Sequence, residues 1–213
     1  MEIVVVIFIL IFIGSLLVRI SQNRYSGPGE TDSTNTAQYG PPAKSLYTST
    51  EIFTLHHRIE ITDENEKVVY RAESQFPSIH DKTDVYSADG RHIAYMERKL
   101  VTLHEIRYVD MDNGKKFTLS NELLHIIRDV TNIEGLGWIL EGNIIQLNFT
   151  IKDANGGLIA VVSQKAFSLH DKYVVDIYKT EHEEEVVAVL VALQHMISER
   201  QAAAASSGGG SSS

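Results

Sequence analysis

Histidine is the first residue type to examine for chemistry, since the chain has nine of them and no cysteine. Four share one context. His56, His80, His104 and His170 each follow Leu or Ile in a short element such as Phe53-Thr54-Leu55-His56. Three of them precede an acid (Asp81, Glu105, Asp171), which pairs an imidazole ligand with a carboxylate able to orient it. Against a metal centre, residues at equivalent places in successive hairpins spread around a circumference rather than converge on one ion. The expectation is therefore turn-capping histidines and no metal site. His182-Glu183-Glu184-Glu185 also offers cation ligands, but it reads more simply as the start of the last helix. No glycine-rich phosphate loop, nucleophile elbow or His-Glu-x-x-His pattern occurs, so no catalytic residue, cofactor or enzyme activity is expected. The missing cysteines exclude thiol catalysis, thiolate metal sites, disulfides and Cys-linked lipidation.

Charge narrows the partners. Of 19 basic and 28 acidic residues, 44 N-terminal positions carry three of each, so the whole net charge of −9 lies in residues 45–213. Nucleic acid needs a basic footprint that this body lacks, and it is excluded as a partner.

The elements that must position any site divide the chain. Ile3–Val18 is uncharged and apolar except for Gly14 and Ser15. At about 1.5 Å per residue it reaches roughly 24 Å, and snorkelling by Arg19 extends it toward the hydrocarbon thickness. With Glu2 ahead of it and no small-x-small site behind, residues 1–20 read as an uncleaved single-pass anchor rather than a signal peptide. Arg19 and Arg24 follow the run, which places the N-terminus outside and the main domain in the cytoplasm. Residues 21–44, with Pro28, Pro41 and Pro42, form a flexible linker, and residues 202–213 an Ala/Ser/Gly tail of low complexity expected to be disordered. Residues 45–201 remain as one domain.

Within that domain, Arg58–Thr62, Ile144–Ile151 and Tyr173–Tyr178 alternate with a period near two, and Asp63–Glu66, Ala88–Arg91, Asp112–Gly114 and Ala154–Gly157 carry turn chemistry. The hairpins repeat. Gly90-Arg91-His92-Ile93-Ala94 matches Gly156-Gly157-Leu158-Ile159-Ala160, and the likeness continues through Lys99 and Lys165 to Val109-Asp110-Met111 and Val175-Asp176-Ile177. His56, His80 and His104 are spaced by 24, about one hairpin with its connection. Phe117-Thr118-Leu119-Ser120-Asn121 is a degenerate copy. The pattern predicts five or six hairpins, about twelve antiparallel strands, closed into a barrel to remove the edges. A barrel that wide needs filling. Val186–Leu193 is apolar on every side, follows three glutamates that suit a helix N-terminus, and is too short to span a bilayer, which predicts a buried C-terminal helix. Trp138 is expected in the core or at a barrel end.

The order of residues from Asn155 to Ile177, with Gly137-Trp138-Ile139-Leu140-Glu141-Gly142 and the apolar helix, resembles the LURP-one-related (YxjI-like) family. That family is similar in fold to the Tubby C-terminal domain and to phospholipid scramblases. The resemblance covers roughly Tyr47 to Ile197 and implies a twelve-stranded barrel threaded by its C-terminal helix. Tubby domains bind phosphoinositide head groups through basic side chains, so it also implies a lipid site, for which Lys82, Arg98, Lys99, Lys165 and Lys172 are the candidates. Taken together, the sequence predicts a membrane-tethered, non-enzymatic binding or scaffolding domain with a protein partner or anionic phospholipid as ligand. Scramblase-like lipid handling is the alternative, weakened by the absent acylated cysteines and absent Ca²⁺-hand spacing. A histidine-dependent metal protein is the third.

Overall fold

The computed structural model describes residues 38–49, 58–75, 82–101, 104–120, 130–164 and 172–207. Twelve strands form one antiparallel sheet: β1 (Lys44–Ser49), β2 (Arg58–Thr62), β3 (Val68–Gln75), β4 (Lys82–Ser87), β5 (His92–Val101), β6 (His104–Met111), β7 (Lys116–Ser120), β8 (Val130–Ile133), β9 (Trp138–Asn143), β10 (Asn148–Lys152), β11 (Leu158–Gln164) and β12 (Lys172–Ile177). A 3-10 turn, Thr180–His182, leads into the helix α1, Glu183–Ser207. The order across the sheet is β7-β6-β5-β4-β3-β2-β1-β12-β11-β10-β9-β8, so the first and last strands in the chain are neighbours at its centre.

The turn chemistry acts as read from sequence. Asp63 Oδ1 accepts from the amides of Asn65 and Lys67, and Asp153 Oδ1 does the same for Asn155 and Gly157. Gly90, Gly114 and Gly156 adopt φ of 85°, 87° and 80° in equivalent turns. The offset of 66 residues is a structural repeat as well. Ala94 pairs with Met111 and Ala160 with Ile177, while Met96 pairs with Val109 and Val162 with Val175. The hairpins β5–β6 and β11–β12 thus share one register, and all eight of those residues are buried.

One expected strand is shorter than its alternation. Ile144–Leu147 is a turn with Leu147 at φ 49°, and β10 begins only at Asn148. Asn143 Oδ1 accepts from the Gln146 amide at 3.0 Å, while Ile144 and Leu147 fold back into the core and Ile145 stays exposed at the tip. Leu147 is buried in phase with Phe149 and Ile151, so the alternation of β10 runs back into the turn.

The barrel is nearly, not fully, closed. Between the terminal strands, the backbone pairing among the described residues is an isolated bridge from Thr118 in β7 to Glu134 just after β8, with Thr118 N donating to Glu134 O at 3.0 Å. Gly135 makes that approach possible. It sits at φ 95°, and a Cβ there would stand 2.3 Å from the Lys116 carbonyl oxygen.

Helix α1 fills the barrel as expected. Val186 through Leu193 are each 2% exposed or less, which explains a helix rich in β-branched residues that disfavour isolated helices. Full burial of each Val or Leu contributes on the order of 1.5–3 kcal/mol. Trp138 is also buried, edge-on to His182 at 5.5 Å between ring centroids.

The N-terminal anchor Ile3–Val18 lies outside the described residues, and among those residues no helix is long and apolar enough to cross a membrane. The last residues of the segment read as a linker are held against the barrel. Tyr178 Oη donates to the Gly40 carbonyl at 3.2 Å, and Ala43 N donates to Ile177 O at 2.8 Å. At the other end, α1 runs on to Ser207, past the Gln201 boundary read from sequence.

Candidate binding groove at the barrel seam

Two polar systems fix α1 inside the barrel, one at its start and one further along. At the helix start each glutamate reaches a different part of the barrel. Glu183 Oε1 accepts from Lys44 Nζ at 2.5 Å and Tyr70 Oη at 2.6 Å, Glu184 pairs with Arg91, and Glu185 Oε1 accepts from Asn113 Nδ2 at 2.8 Å and Lys115 Nζ at 2.5 Å. These carboxylates also meet the positive end of the helix dipole. Burial pushes the Glu185 carboxyl upward, but the bonds from Lys115 and Asn113 together outweigh it and hold its pKa below the usual range. Burial, then the bond to Glu183, drives the Tyr70 phenol far above its ordinary value. The cation site that His182–Glu185 offered in the sequence is therefore occupied by the protein's own lysines, arginine and amide.

Further along α1, polar side chains meet inward-facing polar residues. Gln194 Nε2 donates to Thr48 Oγ1 at 3.2 Å, and His195 Nε2 lies 3.4 Å from both Ser74 Oγ and Thr83 Oγ1. Glu199 draws in two guanidiniums from adjacent strands, Arg107 at 2.8 Å and Arg98 at 3.6 Å. Arg98 and Arg107 are cross-strand partners, so both side chains point to the interior, and Arg107 is 1% exposed. Sequence reading missed Arg107. The signal was present, because it lies in phase with the buried Val109 and Met111 of the same strand.

The other candidates disperse. Arg98 faces α1, whereas Lys99 lies on the outer face of β5, 3.1 Å from Glu97. Lys82 opens β4 as the cross-strand partner of Glu97, and Lys172 opens β12 opposite Ser49. Lys165 falls outside the described residues, as do His56, His80 and His170. His104 begins β6 opposite Val101. Among the described residues no group of three or more His, Asp or Glu is arranged to hold a metal ion. A histidine that bridges two carboxylates was not singled out from sequence: His92 Nδ1 lies 2.9 Å from Asp112 and Nε2 lies 3.2 Å from Asp84.

A groove of about 480 Å³ runs along the outer face of β5, β6 and β7 to the seam at Glu134 and Gly135. Register builds its floor: Glu97 opposes Tyr108, Tyr95 opposes Asp110, and Tyr108 opposes Thr118. Lys99 Nζ stands 5.1 Å from the Tyr108 ring centroid, a cation–π contact reinforced by Glu97. Lys116 is committed to Asp110 at 2.5 Å. Glu134 differs from the other carboxylates, since Thr118 Oγ1 at 3.5 Å is its side-chain partner and no cation among the described residues pairs with it. Tyr108 is 38% exposed, one of two large apolar side chains left open to solvent among the described residues. These outward positions follow from alternation, but their meeting across three strands depends on register, which the sequence does not print.

A search of curated proteins gave no match. Among solved structures, the X-ray structure of a protein from Arabidopsis thaliana aligns at 11% identity and a TM-score of 0.45, over 73% of this chain and 94% of that one. The LURP-one-related family matches residues 44–194, from the first strand to the part of α1 that fills the barrel. The chain belongs to the LURP-one-related family.

Proposed function

We propose that this protein is a binding or scaffolding domain without a reaction of its own, tethered at the cytoplasmic face of a membrane by Ile3–Val18. One observation carries the binding reading: α1 occupies the interior of the barrel, and the groove of about 480 Å³ lies on its outer wall. A barrel filled by its own helix offers ligands its surface rather than a cavity. Membership of the LURP-one-related family supports the same reading. The apolar N-terminal run and the arginines behind it support the tether.

A second reading adds anionic lipid head groups as ligand. Its support is local: Lys99 pairs with Glu97 at 3.1 Å, and Lys82 is the cross-strand partner of the same glutamate, so that face carries two lysines and one carboxylate. Carbonate extraction of membranes bearing the full chain tests the tether, with retention expected and release contradicting it. Flotation of residues 38–213 on liposomes with and without phosphoinositide, at low and high salt, tests the lipid reading. Salt-sensitive flotation on anionic liposomes, lost in Lys82→Glu/Lys99→Glu, supports lipid contact. Absence of flotation removes lipid as a ligand and leaves a protein partner.

A further inference from the structure

We propose that the seam groove is a docking site for an extended basic peptide segment, with one Lys or Arg side chain lying over Tyr108 and reaching Glu134. This rests on the binding-domain reading and names the chemistry of the partner. Three features of the groove favour a cationic occupant over an anionic one. Its two lysines are already neutralised, Lys99 by Glu97 and Lys116 by Asp110, whereas Glu134 has no cationic partner among the described residues. Its aromatic floor holds a cation already, because the protein's own Lys99 sits 5.1 Å from the Tyr108 centroid. The groove thus shows the contact a ligand's ammonium or guanidinium would make, on a lysine whose side chain is half exposed.

Charge at longer range agrees. The body carries the whole net charge of −9, which raises the local concentration of basic segments and repels acidic ones. The shape agrees as well. An open groove spanning β5, β6 and β7 has room for several residues of an extended chain, and a partly exposed tyrosine in its lining is the kind of residue that concentrates binding energy.

Fluorescence anisotropy on the full chain in neutral detergent micelles tests this, with labelled peptides of alternating Arg and Ala or of alternating Glu and Ala as probes. The Arg peptide is expected to bind saturably and the Glu peptide not to bind. Tyr108→Ala and Glu134→Gln should each weaken the Arg peptide roughly threefold to tenfold. Tyr108→Phe, which keeps the ring, should retain binding, and Glu64→Gln, an exposed acid in the β2–β3 turn, should leave it unchanged. Lys99→Ala should tighten binding more than Lys67→Ala, since only Lys99 competes for the ring. Equal losses in Glu64→Gln and Glu134→Gln would reduce the effect to diffuse charge and overturn the site. So would full affinity in Tyr108→Ala, or preference for the Glu peptide or for phosphatidylserine vesicles. If carbonate extraction succeeds while the peptide arms fail, the groove assignment falls and the tether stands; the reverse pattern removes only the tether.

Discussion

Gly135 carries more of the fold than its size suggests. Its φ of 95° lies in the region that favours glycine, and a Cβ would meet the Lys116 carbonyl at 2.3 Å and Phe117 Cα at 2.8 Å. Both atoms are backbone, so neither yields cheaply. Gly90 has a similar φ of 85° but nothing within 4 Å of the missing Cβ. Gly90→Ala therefore tests conformation alone and is expected to cost about 1 kcal/mol, while Gly135→Ala adds a clash at the seam and should cost about 2–4 kcal/mol. Urea denaturation of both variants checks the difference, and equal losses would contradict a close approach at Gly135. The histidines teach the opposite lesson at this scale. Recurrence in sequence made four of them conspicuous, yet the one with two carboxylate contacts, His92, stood within a repeat and drew notice only as part of it. Asp84 faces it across the β4–β5 hairpin, whereas Asp112 lies 20 positions on, in the turn after β6, and only register brings all three together.

At the scale of elements, α1 is held by packing along its middle and by ion pairs at its start. Leu190→Ala removes a side chain enclosed on every side and should cost about 2–5 kcal/mol in a calorimetric or denaturant assay. The clasp at Glu183–Glu185 adds pH dependence. Because the folded pKa of Glu185 lies below its unfolded value, its contribution is present above the unfolded carboxylate range and is lost as pH falls through the lowered folded value. Glu185→Gln should accordingly narrow the stability gap between neutral and acid pH. Tyr70 has the reverse sign: its folded pKa is raised, so its contribution is complete below the unfolded value of 10.0 and is lost as pH rises beyond it. The stability difference between the native chain and Tyr70→Phe should shrink as denaturant titrations move above about pH 10. A difference independent of pH would mean that neither burial nor the bond to Glu183 raises the phenol's pKa. The glutamates before the helix were legible as a helix start. Their fastening to Lys44, Arg91 and Lys115 was not, since those residues are separated from them by 70 to 139 positions.

At the scale of the whole molecule, local signals carried the architecture a long way. Alternation and turn residues marked the hairpins, the offset of 66 matched two hairpins that share a register, and the all-round apolar run marked the helix inside. Strand count then demanded closure, and the structure adds that closure among the described residues narrows to a bridge between Thr118 and Glu134. The groove beside that seam was not legible, because its residues come from three strands and a turn that only pairing aligns. The account depends most on the interior being closed to ligands, so that binding takes place outside. Hydrogen exchange of the full chain, resolved along α1, measures this directly. Amides of residues 186–197 are expected to exchange only through global unfolding, at the same rate as the buried strands β5 and β11. Exchange of that segment well ahead of those strands would show the helix leaving the barrel, and would contradict a binding surface confined to the outer wall.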